Sequence, residues 1–567
     1  MNPRAILIRA IEADDLPSVG ALISENLDLL NAPRERPAVT FARSTGMAEL
    51  LVQKGADIAA VGQWWAPGFS TRTMAAEVGK LLAGRGAPLT PHAAAGLGMK
   101  DLLEAMLASD ASAVDAKGGD GCTPLHFARD LETAKLLVEH GAKLDARDED
   151  HDSTPAQWSI GDAPEVSRFL IDQGAIPDIF LAAALGDREL AKRLIARNLG
   201  CMAHRIGKAP EFPPIGYEKR GGTIYQWTLA FNSFPHQIAL KKGHQELFDF
   251  LYEKSDTVTQ FLVSCVLARR TEAEALAEHN PGIVASLPDV DKELLARYCW
   301  ETNTNFDAVK LMLDLGFPIA HPERSHGYTP LHNAAWSGSA DLVDLLIARG
   351  HPVDIVDPGY SSTPLGYAIH DCVVEKRHPE GEFGRVVKAL LDAGSPWDAL
   401  GFPYGDEQID AAMRPRLRDR ADGAALLGDE AAVRALLGAE PSKEALNQAL
   451  AGAAKGGHTT LFRQLLDRGA SVNAAVSLEQ NTPLMYAAMS ASHDAAVLLL
   501  ENGADASAKN VHGTSALHMA IWYGAARKTI ELLLRAAPNV GENNHGFTPL
   551  TIAKKKGRED VIALLSE

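Results

Sequence analysis

Between residues 327 and 350 the apolar positions fall into two helical registers. Leu331, Ala334 and Ala335 share one face at i, i+3, i+4, and beyond Gly338 the spacing returns in Leu342, Leu345 and Leu346. Thr329 is a suitable N-cap and Pro330 a suitable first helical residue, since its missing N–H would have had no partner there. Gly338 ends the first register, and Gly350 suits the left-handed closure of the second. The pattern predicts a helix hairpin. One such hairpin buries too little apolar surface to offset the entropy of ordering it, so it is stable only when stacked on copies of itself.

The copies are present. Gly141 and Gly174 lie 33 residues apart, and 34 residues separate Gly316 from Gly350, Pro330 from Pro364 and Gly469 from Gly503. Thr-Pro openings recur at Thr90, Thr123, Thr154, Thr363 and Thr548. The Thr-Pro-Leu-His opening, the paired alanines, the mid-unit glycine and the terminal glycine together resemble an ankyrin repeat. That resemblance implies an all-α fold, a right-handed solenoid of helix pairs with projecting finger-like turns, and a role in protein recognition. Over 567 residues the period gives roughly 17 units. The resemblance also implies that His126, His332 and His518, fourth in their opening motifs, pair with the opening Thr or Ser structurally and tie the helix start to the preceding finger. Apolar residues at 46% with aromatics at only 6% suit thin Ala/Leu layers better than one bulky core.

The pattern divides the chain into an N-terminal array with its cap (1–199), an insertion (200–233), a central array (234–400) and a C-terminal array with its cap (401–567). The insertion holds Phe212, Tyr217, Tyr225, Trp227 and Phe231, too many aromatics for a disordered linker. Within it, Ile215 to Trp227 reads as a β-hairpin turning at Lys219-Arg220-Gly221-Gly222. Its Arg and Lys residues suit contact with the acidic array. A second aromatic segment, Gln63 to Phe69, occupies an early finger.

A net charge of -18 disfavours nucleic acid and anionic lipid as partners. The five cysteines are scattered without paired spacing, which argues against a disulfide framework and a Cys-based metal site. Charges interrupt the first fifteen residues where a signal peptide needs an apolar run, and no 18-residue apolar stretch occurs, so a soluble, cytoplasmic protein is expected. No phosphate-binding loop, zinc signature or nucleophile elbow is present. The expectation is a non-enzymatic protein without cofactor or metal, its partner and oligomeric state unspecified.

Candidate binding residues come from the repeat register. Family resemblance directs the residue after the opening four, and the two before the mid-unit glycine, toward the concave groove. In the central repeats these are Asn333, Trp336, Ser337 and Tyr367, with His370 and Asp371 nearby, and a looser alignment adds Tyr298, Glu301 and Thr302. Trp158 falls at a similar position, and Tyr217, Tyr225 and Trp227 are the candidates in the insertion. Large aromatic and charged residues on an exposed helix face are what binding hot spots use. The first reading is therefore a scaffold that binds a protein through groove, fingers and insertion. The alternative is a pocket between the central groove and the insertion for a small polar, carbohydrate-like ligand, with or without catalysis, suited by the mixture of rings and carboxylates.

Overall fold

The structure is a computed structural model that describes residues 3–25, 27–31, 38–58, 76–87, 89–214, 221–300, 305–324, 326–477 and 479–566. The segment 63–69 and the residues Tyr217, Glu301 and Thr302 lie outside these. The chain divides into two units, one of residues 1–298 with 302–318 and one of 299–301 with 319–567. Both are built of helix pairs. Among the described residues there is no strand, only the isolated bridges Lys208–Phe212 and Val476–Asn481. The all-α expectation holds.

In the first unit, the leading helices of successive repeats stack in order, Pro91–Gly96 on Pro124–Phe127 and that on Pro155–Ser159. Ile179–Leu185 then packs directly on Pro235–Lys241, so the residues between them leave the stack and return to it. In the second unit Pro330–Trp336 packs on Pro364–His370. Farther along, Ala421–Leu426, Lys443–Gly456, Pro483–Met489, Ala516–Trp522 and Pro549–Lys555 stack one on the next. Alanines in these leading helices, such as Ala334, Ala335, Ala487 and Ala488, are fully buried and let neighbouring backbones approach closely.

The openings cap their helices as the sequence predicts, but each histidine ties the following finger and not the expected preceding one. The Thr123 N–H donates to His126 Nδ1 at 2.9 Å, which leaves the ring proton on Nε2, and Nε2 donates to the Ser153 carbonyl of the next finger at 3.2 Å. Thr329, His332 and Ser362 repeat the arrangement, as do Ser515, His518 and Phe547. In two other repeats glutamine replaces histidine, Gln157 accepting from the Thr154 N–H and Gln237 from the Phe234 N–H. The fourth opening residue thus caps its own helix, and as histidine it also ties the next finger.

The insertion packs on its own unit. Arg205 is buried, donates to the Val290 carbonyl at 2.6 Å and pairs with Asp291, which also receives Lys208 at 3.0 Å. The expected hairpin is not what forms in its described half. Residues 223–225 lead into a π-helical turn, Gln226–Ala230, because the backbone donors have other acceptors. The Gly221 N–H reaches the Asp150 carbonyl, that of Thr223 the Pro213 carbonyl, and that of Ile224 the Ser153 hydroxyl.

Close packing in the second unit depends on glycine. A Cβ at Gly452 would lie 2.2 Å from the Asp422 carbonyl oxygen, whereas one at Gly20, in helix Leu16–Glu25, would meet nothing within 4 Å. Gly452→Ala should therefore force the helices apart and cost about 2 kcal/mol even after its gain in helix propensity. Gly20→Ala should instead stabilise by up to about 1 kcal/mol. Thermal melts of the two variants check this, and equal shifts would show that the contact is not tight.

Candidate functional site

The second unit contains a cleft of about 480 Å³ bordered by the rings of Trp300, Tyr328, Trp336, Tyr360 and Tyr367. His370, Glu375, Arg377, Ser362 and Gly366 complete its lining. Each element contributes for a local reason. Trp336 ends the helix Pro330–Trp336 and Tyr367 sits in the middle of Pro364–His370, the two leading helices that stack on each other. Tyr328 immediately precedes the first N-cap. Tyr360 stands on the next finger, which the buried Asp357 carboxylate holds by accepting from the backbone N–H groups of Gly359, Tyr360 and Ser362 at 2.7–2.9 Å. Burial alone would raise this carboxyl's pKa, but those three N–H donors outweigh it and hold it below the ordinary aspartate value.

The third wall arises from an irregularity. Helix Pro364–His370 does not stop at a glycine but runs on into a π-helical turn, Asp371–Glu375, closed by Lys376 in the left-handed region at φ 54°. Such bulges recur at functional sites because they re-aim side chains. Here the turn sets the Arg377 guanidinium 5.9 Å from the Trp336 ring centre, with Glu375 accepting from Arg377 Nε at 3.1 Å. The loop is held from below by Asp371, which is fully buried and accepts from His378 Nδ1 at 3.0 Å and from the N–H groups of Arg377 and His378. Its far end is tied by the Glu382 N–H to the Gly338 carbonyl at 3.0 Å.

The rings of Trp300, Tyr328, Tyr367, Trp336 and His370 form one connected set. Trp300 and Tyr328 are parallel, with centres 6.4 Å apart, and Tyr328 meets Tyr367 edge-on at 5.3 Å. Tyr367 meets Trp336 at 5.7 Å, and Trp336 stacks on His370 at 6.0 Å. Burial raises the pKa of the Tyr328 hydroxyl, and drives that of Tyr367 well above the tyrosine range, helped by Tyr328 and Asp357 beside it. Although those two groups are near, the Tyr367 hydroxyl makes no hydrogen bond of normal geometry among the described residues, and neither does Trp336 Nε1–H. The charged groups of the cleft pair with one another, Glu375 lying 3.1 Å from Arg377 and 3.7 Å from His370.

Of the candidates read from sequence, the structure brings Trp336, Tyr367 and His370 together. Asp371 lies beneath them as support and not on the surface, and Asn333 is buried. The remaining described candidates, Ser337 apart, belong to the other unit. Trp158 is buried and donates through Nε1 to the Asp148 carboxylate, itself raised in pKa chiefly by burial. Tyr225 is buried with its hydroxyl on Asp178 at 2.6 Å, and Tyr298 is buried with its hydroxyl accepting from Gln237. These three are core residues whose polar tips are satisfied internally. Trp227 is 65% exposed. The register missed Trp300, Tyr328, Tyr360, Glu375 and Arg377, which lie on fingers and turns. The unusually long turn from Glu375 to Glu382 was the one visible signal among them.

Among the described residues no helix is long and apolar enough to cross a membrane, and no group of His, Cys, Asp or Glu is arranged to hold a metal. Family models described as ankyrin repeats match residues 92–180, 296–347 and 423–510. A putative ankyrin repeat protein, FPV031, from Fowlpox virus (strain NVSL) is 36% identical over 107 residues, 18% of this chain and 31% of the relative. A putative palmitoyltransferase, ZDHHC13, from Danio rerio is 27% identical over 220 residues, 38% of this chain and 31% of the relative. The mouse (Mus musculus) B-cell lymphoma 3 protein homolog is 33% identical over 99 residues, 17% of this chain and 22% of the relative. The chain thus spans about a third or less of the length of these relatives.

Proposed function

The chain is an ankyrin-repeat protein, and from this premise we propose that it works without catalysis, as a scaffold that holds a segment of a protein partner in the aromatic cleft of its second unit. The observation that carries the reading is five aromatic rings lining one cleft, of which Tyr328 and Tyr367 are buried in the stack while Tyr360 stands in solvent. Tyr360 is 74% exposed, and a large ring kept in water beside other rings is characteristic of a contact surface. The carbohydrate alternative counted on Asp371 and Glu301 for hydrogen bonds to hydroxyls. Asp371 is spent on the loop that carries Arg377, so the cleft's own chemistry supports a peptide over a sugar.

The test uses residues that the fold does not need. Tyr360 and Arg377 are both exposed, so the double variant Tyr360→Ala, Arg377→Ala should melt within a few degrees of the parent. It should nevertheless lose the proteins that the parent captures by cross-linking in a lysate of its source cell. An identical captured set would remove the cleft from the interaction surface.

A further inference from the structure

We infer, resting on that reading, that the segment bound in the cleft is proline-rich and lies extended in the polyproline II conformation. Four observations define the occupant. First, the cleft adjoins a second hollow of about 400 Å³ that shares Gly366 and His370 with it and is lined further by Ile369, Val374, Trp397 and Tyr404. Two hollows with a common rim fit an elongated ligand, and Val374, in the second of them, is 63% exposed.

Second, the charge of the first hollow is already matched, and Asp398 in the second accepts from the Leu400 N–H. Glu375 is shared by Arg377 and His370, and a guanidinium stands by the face of Trp336 where an added cation would have to sit. A methylated ammonium, the usual guest of an aromatic cage, would meet that positive charge, whereas a neutral occupant meets no such opposition. Third, the unsatisfied groups are all donors. Trp336 Nε1–H has no acceptor among the described residues, and the Tyr367 hydroxyl, 7% exposed at the residue, makes no hydrogen bond of normal geometry to the nearby Tyr328 and Asp357. Arg377 spends Nε and one terminal nitrogen on Glu375 and keeps donors on the other.

Fourth, half of the first hollow's lining residues are aromatic, with ring faces as walls. An occupant must therefore be extended and uncharged, rich in acceptors, poor in donors, and able to lay small rings on larger ones. A polyproline II helix has each of these properties: it makes no internal hydrogen bonds, so its carbonyls are free, its prolines carry no N–H, and aromatic-lined grooves are its usual receptors. Being already ordered, it also loses little entropy on binding.

Isothermal titration of the full chain with a decaproline peptide tests this. A Gly-Ser decapeptide, a trimethyllysine peptide and maltohexaose serve as competitors of other chemistry. Decaproline should bind saturably and the others should not. Tyr360→Ala should weaken its binding at least fivefold by removing a stacking face, and Tyr367→Phe about fivefold by removing a donor, with little change in melting temperature for either. No binding of decaproline, binding equal to that of the Gly-Ser peptide, binding unaffected by both variants, or preference for trimethyllysine or maltohexaose would each overturn the inference. The two readings separate cleanly. If the Tyr360→Ala, Arg377→Ala variant loses captured partners while decaproline fails to bind, the scaffold reading stands and its proline-rich occupant does not.

Discussion

Asp371→Ala should lower the protein's stability by about 3 kcal/mol and abolish partner binding at the cleft without removing any residue that touches the partner. The carboxylate is fully buried, and three donors converge on it: His378 Nδ1 at 3.0 Å, the His378 N–H at 3.3 Å and the Arg377 N–H at 3.4 Å. Two of these are backbone groups of a loop whose entry residue, Lys376, is held at a positive φ of 54°. Left-handed backbone at a non-glycine residue costs on the order of 1 kcal/mol and persists only where its surroundings impose it. Without the carboxylate that conformation has no reason to form, and Arg377 and Glu375 leave the wall together. Asp371→Asn retains an acceptor oxygen in nearly the same place and should cost about half as much. Calorimetric melts of both variants, each paired with the capture assay, check the argument. A melting temperature unmoved in Asp371→Ala would show that the loop is fixed by its Gly338 contact alone.

What could be read before the structure, and what could not, divides along the same line as periodic and aperiodic chain. The stacking residues announce themselves because a 33-residue period repeats them, and Thr329, Pro330, His332, Ala334 and Gly338 are all used as that period implies. Trp336, Tyr367 and His370 were legible for a related reason: the register marks positions that the stack does not require to be large. Tyr328, Tyr360 and Arg377 have no such register. Fingers and turns are positioned by local hydrogen bonds such as those to Asp357 and Asp371, and a one-dimensional pattern does not state which carboxylate turns inward. Asp371 was accordingly read as part of a binding surface when it is a buried brace.

Trp158, Tyr225 and Tyr298 show the opposite error. Each occupies a position where a large polar-tipped ring suggests recognition, and each has its tip satisfied within the unit, by Asp148, Asp178 and Gln237 respectively. A sequence shows the ring but not the partner of its polar atom. The hairpin expected near Trp227 failed likewise, since alternation of side chains says nothing of acceptors already waiting on Asp150, Ser153 and Pro213.

Mild acid should unfold this protein through the histidines that define its repeats. Burial depresses the pKa of His126 and His236 to about 4, and His351 likewise, while His332 and His518 are lowered in the same direction for the same reason. In His126 the cause is also geometric, because Nδ1 already accepts from the Thr123 N–H, and a proton there would set donor against donor. The unfolded histidine takes its proton near pH 6.5 and the folded one only near pH 4, so between these values the unfolded chain binds more protons. Stability is therefore full above about pH 6.5 and falls as the pH drops toward 4. A shift of this size corresponds to about 3 kcal/mol for one fully buried histidine. The chain itself supplies the control, since Gln157 and Gln237 make the same cap without titrating. His126→Gln should keep the bond to the Thr123 N–H, cost about 1 kcal/mol at pH 7.5 through the lost bond to Ser153, and lose about 3 kcal/mol less than the parent between pH 6.5 and 4. Hydrogen exchange of the amides around residue 126, followed across that range in both proteins, measures the difference directly. Parallel pH profiles would mean that the repeat opens without protonating its capping histidine.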